Sequence, residues 1–341
     1  MPFDDKSMKY CSLVDLVKGK YPFDHALQVR AAQFLKSLEP QLFDQKLAEK
    51  LVHDLVPTSA GSPSGFVKSI LTLLSSPHTT IVAAALSLLN SSFYTSSPFV
   101  QIQLVESDLV TNVLAIVQPH TLPISGNEEI ISNLDHLIRN STNLALPSHL
   151  TDLAITTTIE KYNHREMIFQ KIVLPSSQFV TFLISNRHVL GGDLLYTFMS
   201  LLSTLITIGP FHLPTLEFVV ASPIVTAFSS CLLSVANDGH LWRTLDRFTS
   251  SLLEWKKGDN EVVQCGKRMM QALISEGFDD TLEQTLMRKK EEFYGFSVAN
   301  DCLPLSKLMG SNVRLVTPNL ICGLSSDVGN TLIAGADEQT I

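Results

Sequence analysis

The chain has 341 residues, 45% of them apolar and only 17% charged, with a net charge of −8 and a pI near 5.7. That composition supplies a sizeable core and excludes global disorder. The acidic balance, with no run of five or more Lys and Arg, excludes a nucleic-acid interface.

With so few charges, Ser and Thr are expected to fill much of the polar surface. The five cysteines, at 11, 231, 265, 302 and 322, are odd in number and form no CxxC pair. They read as reduced, mostly buried thiols of an intracellular protein. The opening MPFDDKSMKYCSLVDLV puts two Asp before any apolar run, which is not a secretory signal.

In chain order, residues 1–23 read as a loose arm with one short helix over Met8–Val17. Asp24 is placed to cap a helix whose apolar positions, from Ala26 and Val29 to Leu35 and Leu38, keep helical spacing until Pro40. A second helix is expected from about Gln41 to Val56, with apolar residues Leu42, Phe43, Leu47, Leu51 and Leu55 on a four-residue beat. Residues 57–65, rich in Pro, Ser and Gly, are a loop by composition.

From Phe66 a unit repeats. Apolar helices open on Phe66-Val67-Lys68, Leu109-Val110-Thr111, Phe179-Val180-Thr181 and Ile224-Val225-Thr226, so the valines recur at intervals of 43, 70 and 45 residues. Two of these match the roughly 40–47 residues of HEAT or armadillo units. The longer one holds an extra helix at about 148–173, in which His164-Arg165-Glu166 reads as a solvated triple. Partner helices follow over Thr80–Phe93, Asn127–Leu144, Gly192–Ile208 and Asn237–Lys257. A helix pair of this size cannot hide its apolar side alone and must stack on a neighbour. No alternating strand run with hairpin turns is present in the body of the chain.

Two segments look membrane-like. Leu194–Ile208 is 15 residues long, where a span needs about 20. Leu216–Val235 contains Glu217, Pro223 and four serines. Both are expected to be buried helices, which leaves a cytoplasmic chain with no transmembrane span. Helices over Glu261–Glu276 and Asp280–Phe293 close the array with a polar cap. Residues 295–341 lose the pattern and read as a mostly irregular tail, so the repeat array is expected over 24–294.

Ala84, Ala85, Leu88 and Asn90, and less fully Leu134, Ile138 and Asn140, resemble the Ala-rich, Leu-x-Asn third helix of armadillo repeats. The likeness covers 66–143 and extends to 213–257. It implies an all-α, right-handed α-solenoid of armadillo/HEAT-type helical repeats. In peptide-binding members such an Asn holds the main chain of an extended ligand in the concave groove, which makes Asn90 and Asn140 candidates by resemblance.

Motifs for chemistry are lacking. The ten histidines are strewn evenly, with no HExxH and no Cys/His cluster. Gly61-Ser62-Pro63-Ser64-Gly65 puts a proline where GxSxG needs its nucleophile. Gly191-Gly192-Asp193 precedes no GKS or GKT, and Asp193 reads as the N-cap of the next helix. No catalytic, cofactor-binding or metal residues are assigned, and no cofactor is expected. The reading is a non-enzymatic protein-binding scaffold or adaptor that uses its concave face. Its partner would be another protein or an extended peptide, basic by complementarity to the acidic chain, with neither nucleic acid nor membrane as partner. Candidate contact residues are Asn90, Asp135, His136, Arg139, Asn140, Trp242, Arg243 and Arg247, with Trp242 and Arg243 as anchors. The alternatives are a peripheral membrane-associated trafficking component using the apolar helices of 194–235, and an enzyme with a dispersed site.

Overall fold

A computed structural model describes residues 65–234, 255, 258–278, 280 and 281. The expected arm at 1–23, the helices before residue 57, most of the partner helix at 237–257, the cap helix beyond 281 and the tail at 295–341 lie outside the described residues. The described residues are mostly helical, with no strand among them. The chain divides into two compact units that meet in sequence between Phe182 and Leu183.

The first unit contains α1 (Gly65–Leu74), α2 (Thr79–Thr95), α3 (Pro98–Glu106), α4 (Leu109–Val117), α5 (Glu128–Asn143), α6 (Pro147–Asp152) and most of α7 (Thr158–Ser185). Local chemistry fixes the boundaries. Pro98 and Pro147 each stand at the start of a helix, where the missing N–H costs nothing. Asp108, in the left-handed region at φ 60°, bends α3 against α4 by 58°. Glu128 and Glu129 lie in the first turn of α5, the favourable end of its dipole. Thr157 and Glu160 cap α7 reciprocally, each side chain bonding the other's backbone N–H.

Helix α1 packs on α2 and on α4, while α2 packs along α5. Helix α1 therefore lies beside α4, and α2 beside α5. Ala83, Ala84 and Ala85 are buried in α2, and their small side chains let the helix axes approach. From α5, Ile131, Leu134, Leu137 and Ile138 are buried. Each fully buried aliphatic side chain contributes about 1.5–3 kcal/mol.

Most described Ser and Thr side chains are exposed or half-buried, as composition suggested, but some enter the core. Ser92, Ser96, Ser141 and Thr142 are buried, and each donates to the carbonyl four residues back, at 2.6–2.8 Å. A helix can bury such side chains because its own carbonyls accept from them.

Helix α7 departs from the expectation of a break before Phe179. It runs for 28 residues through Pro175, with a π-helical turn at Phe169–Val173. Pro175 has no N–H for the Lys171 carbonyl, and its ring crowds that oxygen. Widening the turn relieves the crowding. The freed carbonyl of Lys171 accepts from Thr111 Oγ1 at 3.3 Å, and Lys171 Nζ bonds Asp108 Oδ1 at 2.7 Å. Both partners come from the start of α4, so this junction docks the kinked helix.

The second unit contains the end of α7, α8 (Gly192–Ile208), α9 (Leu213–Ala221), α10 (Ile224–Ser234) and α11 (Asn260–Ser275). Helix α8 is its axis and packs on α9 and α10. Its residues from Leu194 to Ile208 are buried, Tyr196 excepted. Asp193 is not the N-cap: Gly191 holds that place, Gly192 takes φ +53°, and Asp193 falls in the first turn. Beyond α8 a 3-10 turn, Gly209–Phe211, packs on α11, where a Cβ on Gly209 would stand 2.8 Å from Met269 Cε. Gly266 of α11 lies against the Trp255 ring, and Phe228 stacks on Phe278 with centroids 5.6 Å apart.

These lengths correct the expectation of a cytoplasmic chain without a transmembrane span. Helix α7, at 28 residues, and the helical stretch Gly192–Phe211, at 20, are long and apolar enough to cross a membrane by length and composition. At 1.5 Å per residue the shorter reaches about 30 Å, the thickness of a hydrocarbon core. A count ending at Ile208 falls short because the helical backbone continues through Gly209–Phe211. Pro175, a terminator by its local chemistry, hides the length of α7 in the same way. Of the segment expected from Leu216, the described residues to Ser234 fall in α9 and α10, which pass the same test as a pair but bend by 69° between them.

The α4–α7 junction gives a direct test. Thr111→Val keeps the shape but leaves the Lys171 carbonyl without its donor, so the urea midpoint should fall by the equivalent of about 1 kcal/mol. Lys171→Met should cost less, since its ion pair is half-exposed.

Candidate functional site

Asn90 stands half-buried near the end of α2, and its Nδ2 donates to the Asn133 carbonyl of α5 at 2.9 Å. This bond crosses the α2–α5 seam. On α5, Asn133, His136, Asn140 and Asn143 follow at steps of three or four residues, and all are half-buried. They share one side of the helix. Ser87 and Ser91 flank Asn90 on α2, also half-buried. The result is a strip of amides and hydroxyls along two adjacent helices.

Arg139 Nη2 lies 3.0 Å from His136 Nδ1. A guanidinium has only donors, so Nδ1 accepts and the ring keeps its proton on Nε2. This contact holds the imidazole against the helix that carries it.

Asp135 does not line this strip. Two residues on from Asn133, it is turned about 200° around α5 and joins Ile131, Ile138 and Thr142 on the core side. It is fully buried, and neither carboxylate oxygen has a hydrogen-bond partner. Loss of water raises its pKa from 3.8 to about 7, against the opposing pull of Arg139. By polarity alone it groups with His136 beside it, off the apolar face, whereas its helical angle puts it in the core. Trp242, Arg243 and Arg247 lie outside the described residues.

His164 and Arg165 are also buried, contrary to a solvated triple. His164 Nε2 is 3.0 Å from the Leu144 carbonyl, and Arg165 Nε donates to the Ala145 carbonyl at 3.2 Å. They take carbonyls that the end of α5 leaves without helical partners. The signal was present in the sequence: His164, Ile168 and Ile172 recur every four residues on the buried side of α7.

Sequence reasoning missed Asn133, although it precedes His136 by three residues and Asn140 by seven, a spacing that puts all three on one face. Cys231 and Cys265 are buried free thiols. Among the described residues no group of three or more His, Cys, Asp or Glu is placed to hold a metal ion. Asn133 Nδ2 donates to the Glu129 carbonyl at 2.9 Å and Asn90 Oδ1 is buried, so of these amides Asn140 is the one placed to meet a peptide main chain.

No family model matches the sequence, and no curated protein is similar to it.

The raised pKa of Asp135 gives a pH signature. Its folded carboxyl binds a proton more tightly than the unfolded one, so the stability it contributes is full below about pH 4 and is lost as pH rises through about 7. Asp135→Asn should flatten the decline in melting temperature between pH 5 and 8. The variant should melt above the parent at pH 8, by the equivalent of a few kcal/mol at most. Parallel curves for the two proteins would show that Asp135 is not the titrating group.

Proposed function

We propose that the chain is a non-enzymatic protein-binding scaffold, a right-handed armadillo/HEAT-type helical array whose α2–α5 strip holds an extended segment of a partner protein. The observation that carries this reading is the packing of α1 on α4 and of α2 on α5, the second seam joined by Asn90 and Asn133. Repeats stacked this way present successive second helices side by side, and their outward residues form one continuous surface. Asn140 and His136 supply side-chain donors and acceptors for a main chain, while Asn90 sets the spacing of the two helices. The net charge of −8 favours a basic partner segment.

A second reading, a membrane-associated trafficking component, is favoured by α7. Only half of its apolar window is buried within the protein, and Ile159, Tyr162 and Leu174 are exposed along the helix. Large exposed apolar residues on one long helix suit contact with lipid or with a membrane-bound partner.

One experiment addresses both. The tagged full chain is recovered from native cells after a high-salt wash and its partners are identified by mass spectrometry. On the scaffold reading, a partner co-purifies with the chain, and the double variant His136→Ala, Asn140→Ala captures roughly tenfold less of it while keeping its circular dichroism. Undiminished capture by that variant rejects the strip. A chain that stays in the washed membrane pellet, with no partner in the supernatant, supports the second reading.

A further inference from the structure

On α5 beneath the strip, Asp135 Oδ1, Asp135 Oδ2 and Arg139 Nε are buried without partners, as is Asn90 Oδ1 on α2. The α5 atoms belong to residues one helical turn apart, so the guanidinium reaches either the carboxyl four residues back or the imidazole three residues back. In the structure it holds the imidazole. A buried carboxylate without a donor is costly when ionised, and a protonated one is not.

Other charged groups around α5 are engaged elsewhere. Helix α2 carries no Asp, Glu, Lys, Arg or His, and its titratable Tyr94 is exposed. On α7, Lys171 bonds Asp108, Glu166 accepts from Gln170, and His164 and Arg165 bond the carbonyls of Leu144 and Ala145. On α5 itself, Glu128 and Glu129 are exposed in the first turn. Arg139 is the charged group that acts on Asp135.

We propose that Asp135, Arg139 and His136 form a proton-operated switch under the strip. With Asp135 protonated, Arg139 holds the His136 ring. When Asp135 releases its proton to solvent, Arg139 turns to the carboxylate and the His136 ring reorients toward the strip. The switch regulates the surface assigned above, and only its effect on capture rests on that reading.

Nitrogen NMR of the full chain between pH 5.5 and 8.5 tests it. In the parent protein the Arg139 Nε–H resonance should move with a midpoint near 7, and carbon NMR should place the Asp135 carboxyl titration at the same midpoint. His136→Gln should keep the Arg139 step, because its cause is Asp135. Asp135→Asn should abolish it. An Arg139 step unchanged in Asp135→Asn overturns the switch, and so does an Asp135 carboxyl in the parent that titrates below pH 5, a measurement that needs no variant to fold. Partner capture that stays level across pH 6 to 8 while the Arg139 step is present counts against the strip and leaves the switch standing.

Discussion

A core built from helices alone must answer its buried polar atoms with what the helices carry, and this requirement shapes the molecule more than its apolar content does. Leu and Ile side chains would pack in many registers. The hydroxyls, amides and helix ends are selective, because each needs one partner at one distance. Buried Ser and Thr of α2 and α5 satisfy themselves on carbonyls within their own helix. Asn90 must reach another helix, and its bond to Asn133 fixes where α2 lies along α5. The carbonyls just past α5, of Leu144 and Ala145, are met by His164 and Arg165, which fixes where α7 begins relative to α5.

Pro175 shows the same requirement acting through a defect. A proline in a helix leaves one carbonyl unmet four residues earlier. Here that carbonyl becomes an attachment point: Thr111 occupies it, and the Lys171 side chain beside it pairs with Asp108. Asp108 adopts a left-handed conformation, and its side chain bonds Lys171 and not the N–H groups of α4. The local cost at Asp108 and the widened turn in α7 are two halves of one contact. That contact allows a single helix to run for 28 residues, so its length follows from tertiary packing as much as from its own sequence.

Periodicity makes the strongest elements legible. Spacing predicts helices at Thr80–Phe93, Asn127–Leu144 and Gly192–Ile208, and the structure has them at Thr79–Thr95, Glu128–Asn143 and Gly192–Ile208. Those segments combine dense apolar spacing with Pro, Ser or Gly at their ends, so local and tertiary preferences agree. Legibility fails where a residue's local meaning is reversed by its surroundings. Pro175 is a terminator in isolation and a docking point when Thr111 is opposite. His164 and Arg165 look solvated by composition and become caps once α5 ends beside them. Within the candidate strip, residue type pointed to Asn90, His136, Arg139 and Asn140. It could not separate them from Asp135, because a helical face is defined by angle and not by polarity.

Asp135 stands out because it breaks the rule that the buried hydroxyls around it obey. A carboxylate with both oxygens unmet is a poor choice for stability, and an Asn or Leu would serve the core at least as well. Its neighbour Arg139 has a buried Nε without a partner, so the two orphans are complementary and lie within reach of each other. A static core would join them. The guanidinium bonds His136 instead, and on the switch proposed above the proton on Asp135 decides between the two partners. Other buried atoms, such as Ser203 Oγ and Thr207 Oγ1, also lack partners, but this pair lies on the helix that carries the strip, where a change in one side chain alters the surface without moving the helices.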